Sequence, residues 1–187
     1  MVAYHVVTER PMAEGQTIIF DQNHHSGVYR RVYDREDLVK DIYAHPEKYE
    51  DDALEHHTAV ALRELALEEI RTAEFPEYPS RLACLYVSED LERARHWGNF
   101  FASLGRPTWH IVKLSIDGPV FRGDATKCFR GTKNKEENLR LARLYWENAP
   151  RLDGEEEILE ILAAGKITVL EIVEEIQANI PEHGESR

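Results

Sequence analysis

The chain has 187 residues and a formal net charge of −12, with 42% hydrophobic and 31% charged residues. This composition predicts a globular protein of one domain with a sizeable core. The sequence has no run of about 18 apolar residues, which excludes a membrane-spanning helix. The acidic balance disfavours broad electrostatic binding to nucleic acid or to an anionic membrane surface.

The first part of the chain predicts two short strands separated by a turn. The segment AYHVV is a strand that carries His5, and TIIF is a second strand. The acidic, glycine-containing segment ERPMAEGQ between them is expected to form the turn, and DQNHHSG after the second strand is expected to form a polar loop.

The next part predicts two helices, one over residues 35–44 and one over residues 49–73, with Pro46 between them. The second helix has an approximate apolar stripe among many acidic residues. The segment FPEYPS ends it, because proline disfavours helical backbone at the preceding residue. RLACLYV, which follows, is expected to be a buried strand.

The second half predicts two helices with clear boundary signals. Ser88 suits an N-cap position and Gly105 is placed to stop the helix that follows it. Asn134 and Glu137 form a capping-box pattern for a helix that runs to Pro150. TWHIVKLSI between these helices predicts a strand. EEEILEIL with ITVLEIVEEI predicts a closing hairpin, and a helix over the second of these runs is the alternative. The expected fold class is therefore α+β.

Several familiar site patterns are weak in this sequence. The histidine pairs His24–His25 and His56–His57 lack a chelating spacing, so we expect no metal site. No nucleophile elbow and no glycine-rich phosphate fingerprint occurs. The two cysteines stand in unrelated contexts, and no secretory signal is visible, so we expect a reducing, cytoplasmic setting.

Three features occur in an order that points to a known superfamily. They are an aromatic–histidine pair in YHVVT, a strand and helix in LYVSEDLERARHW, and a glutamate in GEEEILEIL. In this order they resemble the His–Tyr–Glu pattern of the ADP-ribosyltransferase superfamily. The chain as a whole, with GQTIIFDQNHHSGVYRRV and FPEYPSRLACLYVS, looks still more like a bacterial family of unknown function, domain of unknown function 2441.

The resemblance implies roles for named residues toward NAD as the substrate. His5 would bind the ribose on the adenosine side, and Tyr86 and Trp97 would form aromatic walls around the nicotinamide ring. Glu157 would hydrogen-bond a ribose hydroxyl and stabilise the developing positive charge, with Glu155 two residues back on the same strand face.

One position departs from the superfamily pattern. Many relatives follow the histidine with a glycine whose backbone holds the nicotinamide amide, and Val6 stands there in this chain. Backbone contacts from Val6 would replace that glycine. Three adjacent carboxylates, residues 155–157, compete for the catalytic role, and Glu157 fits the glutamate-plus-apolar pattern best. Taken singly, His5, Tyr86 and Trp97 also suit plain core packing.

The sequence therefore predicts an ADP-ribosyltransferase-like split-sheet domain over residues 1–177, with a helical insertion at roughly 35–73 and a flexible tail at 178–187. The expected activity is NAD-dependent transfer of ADP-ribose to an unidentified acceptor, which is a protein, a nucleic acid or a small molecule. Two alternatives remain open: a catalytically silent binding or regulatory module, and an NAD-dependent RNA 2′-phosphotransferase, against which the overall acidity counts.

Overall fold

The computed structural model of the chain describes residues 1–150 and 156–181. Five helices and seven strands are found there, together with two short 3₁₀ helices at Pro46–Tyr49 and Ala125–Lys127. In chain order they are β1 (Val2–Val7), β2 (Thr17–Phe20), α1 (Gly27–Tyr33), α2 (Glu36–Ala44), α3 (His56–Glu74), β3 (Leu85–Val87), α4 (Leu91–Ser103), β4 (Thr108–Asp117), β5 (Val120–Asp124), α5 (Lys135–Glu147), β6 (Leu159–Ala163) and β7 (Gly165–Ala178). The predicted α+β class is confirmed.

The chain divides into two compact units. The first contains Met1–Phe20, Leu85–Gly118 and the described residues from Ala163 onward, and the second contains Asp21–Cys84 and the described part of Pro119–Leu162. Each unit is therefore assembled from separated stretches of the sequence. The single domain predicted over residues 1–177 stays a prediction, and the predicted tail beyond residue 181 lies outside the described residues.

A four-stranded antiparallel sheet forms the centre of the first unit. Its strand order is β1-β4-β7-β2, and β1 lies in register with β4 so that His5 pairs with Val112 and Val7 with His110. Helix α4 packs on one face of this sheet, where Val6, Ala94 and Ile111 form a buried cluster. Apolar side chains recur at helical spacing along α4, which gives it one face to bury.

The second unit is mainly helical. Helix α3 packs against α5, and β6 lies beside β5. One buried cluster centres on Tyr145 and Trp146 of α5, and the indole of Trp146 donates a hydrogen bond to the Leu67 carbonyl over 2.8 Å. A second cluster, around Ile42 and Leu62, joins α2 to α3.

Local capping signals decide several of the helix boundaries. The Asn134 side chain accepts a hydrogen bond from the Glu137 backbone, and α5 begins directly after it, as predicted. Gly105, with φ of 73°, follows the end of α4 and confirms the predicted stop. Helix α5 ends at Glu147, three residues before Pro150, because Asn148 takes the left-handed conformation.

Other boundaries differ from the prediction. Helix α4 is capped by Asp90, whose side chain accepts from the Arg93 backbone, and not by Ser88. Ser88 instead exchanges two backbone hydrogen bonds with Tyr4 on β1, so its backbone is committed to a strand contact. Helix α3 begins at His56, seven residues later than expected, where the Glu55 side chain caps it.

The strand predictions also need correction. The strand expected over RLACLYV is limited to β3, since the Ala83 N–H bonds back to the Ser80 carbonyl in a turn. The closing hairpin is wrong: β6 lies beside β5, whereas β7 lies between β4 and β2. Helix α1 and strand β5 form in segments for which neither was expected.

We predict that Gly165→Ala destabilises the protein more than Gly105→Ala. Both glycines have positive φ, but a Cβ at Gly165 would lie 2.4 Å from the Asp117 carbonyl oxygen, whereas a Cβ at Gly105 would meet nothing within 4 Å. Gly105→Ala should lower the free energy of unfolding by about 1–2 kcal/mol, the cost of the left-handed backbone, and Gly165→Ala by more. Urea unfolding followed by circular dichroism measures both; equal losses would contradict the close approach.

Candidate functional site

His5 lies on β1, where strand alternation decides which face its ring occupies. The side chains of β1 point to the two faces of the sheet in turn, so His5 and Val7 share one face and Tyr4 and Val6 share the other. Val6 is buried in the cluster beneath α4. The His5 ring therefore stands on the face of β1 away from α4.

The His5 ring is held by the backbone of β3. Its Nδ1 lies 2.7 Å from the carbonyl oxygen of Tyr86. A carbonyl oxygen only accepts hydrogen bonds, so Nδ1 carries the proton and donates it. Burial lowers the pKa of His5 to about 4, opposed by the hydrogen bond to the Tyr86 carbonyl and aided by the nearby His110. At neutral pH the ring is uncharged, with Nε2 as a hydrogen-bond acceptor.

His110 occupies the same sheet face on the neighbouring strand. Its Nε2 accepts a hydrogen bond from the Met12 backbone over 3.2 Å, and its Nδ1 lies 3.7 Å from a Glu175 carboxylate oxygen. His110 is buried, and its Nε2 is already used by the loop between β1 and β2. Of these two histidines, His5 is the one whose second nitrogen has no hydrogen-bond partner among the described residues.

Tyr86 contributes its carbonyl to His5 while its own ring stays accessible. The residue is in β3 and is 42% exposed, among the most exposed large apolar residues of the first unit. An exposed aromatic side chain can stack on a planar ring of a ligand. The structure thus brings the His5 ring and the backbone of Tyr86 together.

Trp97 has a different setting from the one predicted for a binding wall. It lies on α4 and packs on the cluster that contains Val6, Ala94 and Ile111, with its ring 5.8 Å from that of Phe101. This is the face of β1 opposite to His5. Val6 directs its side chain into the same cluster, so only its backbone remains for the predicted contact. The ligand roles of Trp97 and Val6 stay predictions.

Glu157, the predicted catalytic residue, belongs to the second unit. It is exposed and precedes β6 by two residues. Glu155, the predicted partner of Glu157, lies outside the described residues. The glutamate within β6 itself is Glu160, and it is followed by Ile161 and Leu162 just as Glu157 is followed by Ile158 and Leu159.

Glu160 is part of a buried polar cluster, which we call the Arg81 cluster. Its members are Arg63, Glu64, Arg81, Tyr145 and Glu160. Arg81 donates through Nε to Glu64 over 3.0 Å and through Nη1 to Glu160 over 2.8 Å. The Tyr145 hydroxyl donates to the same Glu160 oxygen over 2.6 Å. Two guanidinium groups and two carboxylates thus balance their charge inside the second unit.

Glu64 is the more deeply buried of the two carboxylates in the Arg81 cluster. Glu64 is 4% exposed, and both of its oxygens are bonded, one to Arg63 and one to Arg81. Burial alone would raise the pKa of Glu64, but the guanidinium groups of Arg81 and Arg63 outweigh it and hold the pKa below its usual value. Glu64 is therefore the ionised counter-charge of the two arginines.

Helices of the second unit also line a partly open cavity of about 490 Å³. Val39, Leu65 and Leu139 are among its apolar lining residues. The carboxylates around it are each paired with a cation among the described residues: Glu36 with Lys40, Glu69 with Lys135 and Glu68 with Arg71. The cavity suits an apolar body more than a charged group.

Neither a metal site nor a membrane-spanning helix is found in the described residues. Among residues 1–150 and 156–181, no group of three or more histidine, cysteine or acidic side chains could hold a metal ion. Within the same residues, none of the helices has the length and apolar character needed to cross a membrane.

Most of the chain matches one known protein family. The family described as protein of unknown function (DUF2441) matches residues 3–175, nearly the whole chain. The chain belongs to this family. No curated protein matches it. The matched range includes His5, Tyr86 and the whole Arg81 cluster, so these residues lie within the family domain of this DUF2441 member.

The sequence named His5 and Tyr86 as candidates in this DUF2441 member but did not predict the Arg81 cluster. Arg81 was visible only as part of a predicted strand, and Tyr145 only as part of a helix. One signal was available: the tripeptide EIL occurs twice in succession, at 157–159 and at 160–162, and the second copy also fits a glutamate at the opening of a late strand.

We predict that His5 is neutral, protonated on Nδ1, from pH 8 down to about pH 5. Because its pKa in the folded protein, about 4, is below the ordinary 6.5, the unfolded chain binds the proton first as the pH falls. The contribution of His5 to the free energy of unfolding is complete above pH 6.5 and is lost as the pH falls toward 4. Nitrogen-15 NMR of the histidine rings measures tautomer and titration; a ring protonated on Nε2 at pH 7 would contradict the assignment.

We predict that Trp97→Ala lowers the free energy of unfolding by about 3 kcal/mol, since the ring packs on the core beneath α4. Trp97→Phe should lose less, because an aromatic ring remains. Thermal and urea unfolding measure the loss. A fully stable Trp97→Ala protein that binds NAD more weakly would instead support the predicted nicotinamide wall.

Proposed function

We propose that the protein binds NAD and transfers its ADP-ribose moiety to an acceptor. The observation that carries the proposal is the hydrogen bond from His5 Nδ1 to the carbonyl of the exposed residue Tyr86, which leaves His5 Nε2 as a hydrogen-bond acceptor. The resemblance of YHVVT, LYVSEDLERARHW and GEEEILEIL to the ADP-ribosyltransferase superfamily supports the same reading.

The state of His5 suits a sugar hydroxyl. A ribose hydroxyl donates one hydrogen bond, and a neutral imidazole with a free Nε2 lone pair accepts it. A protonated histidine would offer only donors. Because the pKa of His5 is about 4, the accepting form is present throughout the neutral range. In this proposal His5 binds ribose and does not transfer protons.

The exposed Tyr86 ring suits the other end of the substrate. The nicotinamide ring of NAD is planar and cationic, and an aromatic face attracts such a ring by stacking and by its quadrupole. These contacts contribute on the order of 0.5–2 kcal/mol, and they weaken once nicotinamide has left as a neutral molecule. Tyr86 would thus favour the bound, charged substrate.

The reaction needs a negative charge at the ribose. When the bond between ribose and nicotinamide breaks, both bonding electrons leave with nicotinamide and positive charge develops on the ribose ring. A carboxylate beside that ring stabilises the charge, as in glycoside hydrolysis. The resemblance assigns this role to Glu157. An acceptor then attacks the same ribose carbon.

We predict that NAD raises the unfolding temperature of the protein and that His5→Ala weakens this effect. A ligand at a hundred times its Kd stabilises the folded state by about 2.7 kcal/mol. Loss of one hydrogen bond of about 0.5–1.5 kcal/mol weakens affinity by about 2-fold to 13-fold. Thermal shift titration with NAD measures both, and His96→Ala, at an exposed position on α4, serves as the matched control.

The same titration, combined with a measurement of nicotinamide release, distinguishes a transferase from a silent binding module. NAD binding with release of nicotinamide supports the transferase. NAD binding without release in the presence of protein, nucleic acid and small-molecule acceptors would indicate a silent binding module. A folded protein whose unfolding temperature does not change at millimolar NAD would overturn the proposal.

A further inference from the structure

The cavity lined mainly by helices α2, α3 and α5 lies wholly within the second unit. Its lining residues fall within residues 33–73 and 135–139, so no residue of the first unit is needed to form it. Its volume of about 490 Å³ is within the range of about 300–1,000 Å³ that is typical of small-molecule sites. Each of the three helices contributes an apolar side chain to the lining, namely Val39, Leu65 and Leu139. The cavity is therefore large enough for a small organic molecule.

Tyr43 brings a hydrogen-bond donor to the wall of this cavity. Its hydroxyl oxygen accepts a hydrogen bond from Asn138 Nδ2 over 2.7 Å, so the side chain spans from α2 to α5. Among the described residues, none accepts a hydrogen bond from the Tyr43 hydroxyl. Burial raises the pKa of Tyr43 above its usual value, and the hydroxyl therefore keeps its proton at neutral pH.

The other contacts of Asn138 fix the direction of this hydrogen bond. Its Oδ1 accepts from the Thr132 backbone over 2.9 Å and from the Thr132 hydroxyl over 3.0 Å, and its Nδ2 also donates to the Thr132 carbonyl over 2.7 Å. A flipped amide would set its oxygen against that carbonyl, and two acceptors cannot bond each other. Asn138 is fully buried, with its donors and acceptors all in use. Tyr43 thus receives from Asn138, and its own proton is available to a ligand.

The charged groups around the cavity favour a ligand without net charge. Each lining carboxylate is paired with a basic side chain: Glu36 with Lys40 over 2.9 Å, Glu68 with Arg71 over 2.7 Å and Glu69 with Lys135 over 3.3 Å. A charged ligand would have to break one of these pairs or remain unpaired itself, and both are unfavourable away from water. A neutral ligand leaves all three pairs intact.

We propose that this cavity binds an uncharged, largely apolar small molecule that carries a carbonyl oxygen. The apolar body lies against Val39, Leu65 and Leu139, and the carbonyl oxygen accepts a hydrogen bond from the Tyr43 hydroxyl. Ketones, esters and amides with an apolar body have this chemistry. The inference goes beyond the proposed function, because NAD carries a charged pyrophosphate and does not suit a lining whose charges are already balanced.

The test uses prodan, a neutral fluorescent naphthalene that carries a dimethylamino group and a propionyl ketone. Its emission shifts to shorter wavelength in apolar surroundings, so a titration gives its Kd. We expect prodan to bind the wild-type protein at one site. The analogue with a carboxylate in place of the ketone should compete at least about 10-fold more weakly, since its charge finds no free counter-charge. Equal competition by the carboxylate would overturn the assignment of a neutral ligand.

A pair of tryptophan variants tests whether prodan occupies this cavity. Thr72 is an exposed residue of the lining, whereas Leu144 is exposed on α5 and lies outside the lining. We expect Thr72→Trp to weaken prodan binding by about 10-fold or more, because the indole takes up space in the cavity, and Leu144→Trp to leave it unchanged. Prodan is excited outside the tryptophan band, and circular dichroism confirms that both variants are folded.

Tyr43→Phe tests the hydrogen bond and keeps the ring. We expect it to weaken prodan binding by about 2-fold to 10-fold, with Tyr29→Phe, outside the lining, as the matched control. A prodan analogue with a propyl group in place of the ketone should bind wild type and Tyr43→Phe equally. The proposed site is wrong if the folded wild-type protein does not bind prodan, if Thr72→Trp binds it as wild type does, or if Tyr43→Phe leaves its Kd unchanged.

Discussion

Two backbone hydrogen bonds between Tyr4 and Ser88 determine how the first unit is put together. They join the opening strand to a segment more than eighty residues later in the chain, over 2.8 and 2.9 Å. Because Ser88 is held there, β3 stops at Val87 and α4 starts three residues after Ser88, with Asp90 as its cap. The same contact brings the Tyr86 carbonyl to the His5 ring.

The second unit depends on a different constraint, the balance of buried charge. A guanidinium group out of water is tolerated only when carboxylates and hydrogen-bond acceptors surround it. Arg81 draws its partners from α3, α5 and β6, so its charge ties three elements of the unit together. Removing one of the two carboxylates, Glu64 or Glu160, would leave buried positive charge uncompensated, which typically costs about 3–5 kcal/mol.

Features set by neighbouring residues could be predicted from the sequence. The Asn134 cap and the Gly105 stop depend on contacts within three or four residues, and the structure has both. The Ser88 cap failed because a distant strand competes for its backbone. The hairpin failed for the same reason: β7 pairs with β4 and β2, and short-range alternation says nothing about which strands meet.

The same difference between local and long-range contacts decides which residues of the candidate site could be predicted. A histidine in an apolar strand and a tyrosine ahead of a capped helix are visible as local patterns, so His5 and Tyr86 could be named from the sequence. The partners of Arg81 lie 17, 64 and 79 residues away, and no local pattern indicates that they meet.

The tautomer of His5 has a consequence for the direction in which protons can move. Its one N–H is committed to a carbonyl that cannot take the proton away, and its other nitrogen would have to be charged before it could donate. General acid catalysis at neutral pH is therefore closed to this residue. A leaving group that needs a proton would have to obtain it from another residue or from solvent. A pyridinium nitrogen, which becomes neutral as its bond to carbon breaks, needs none.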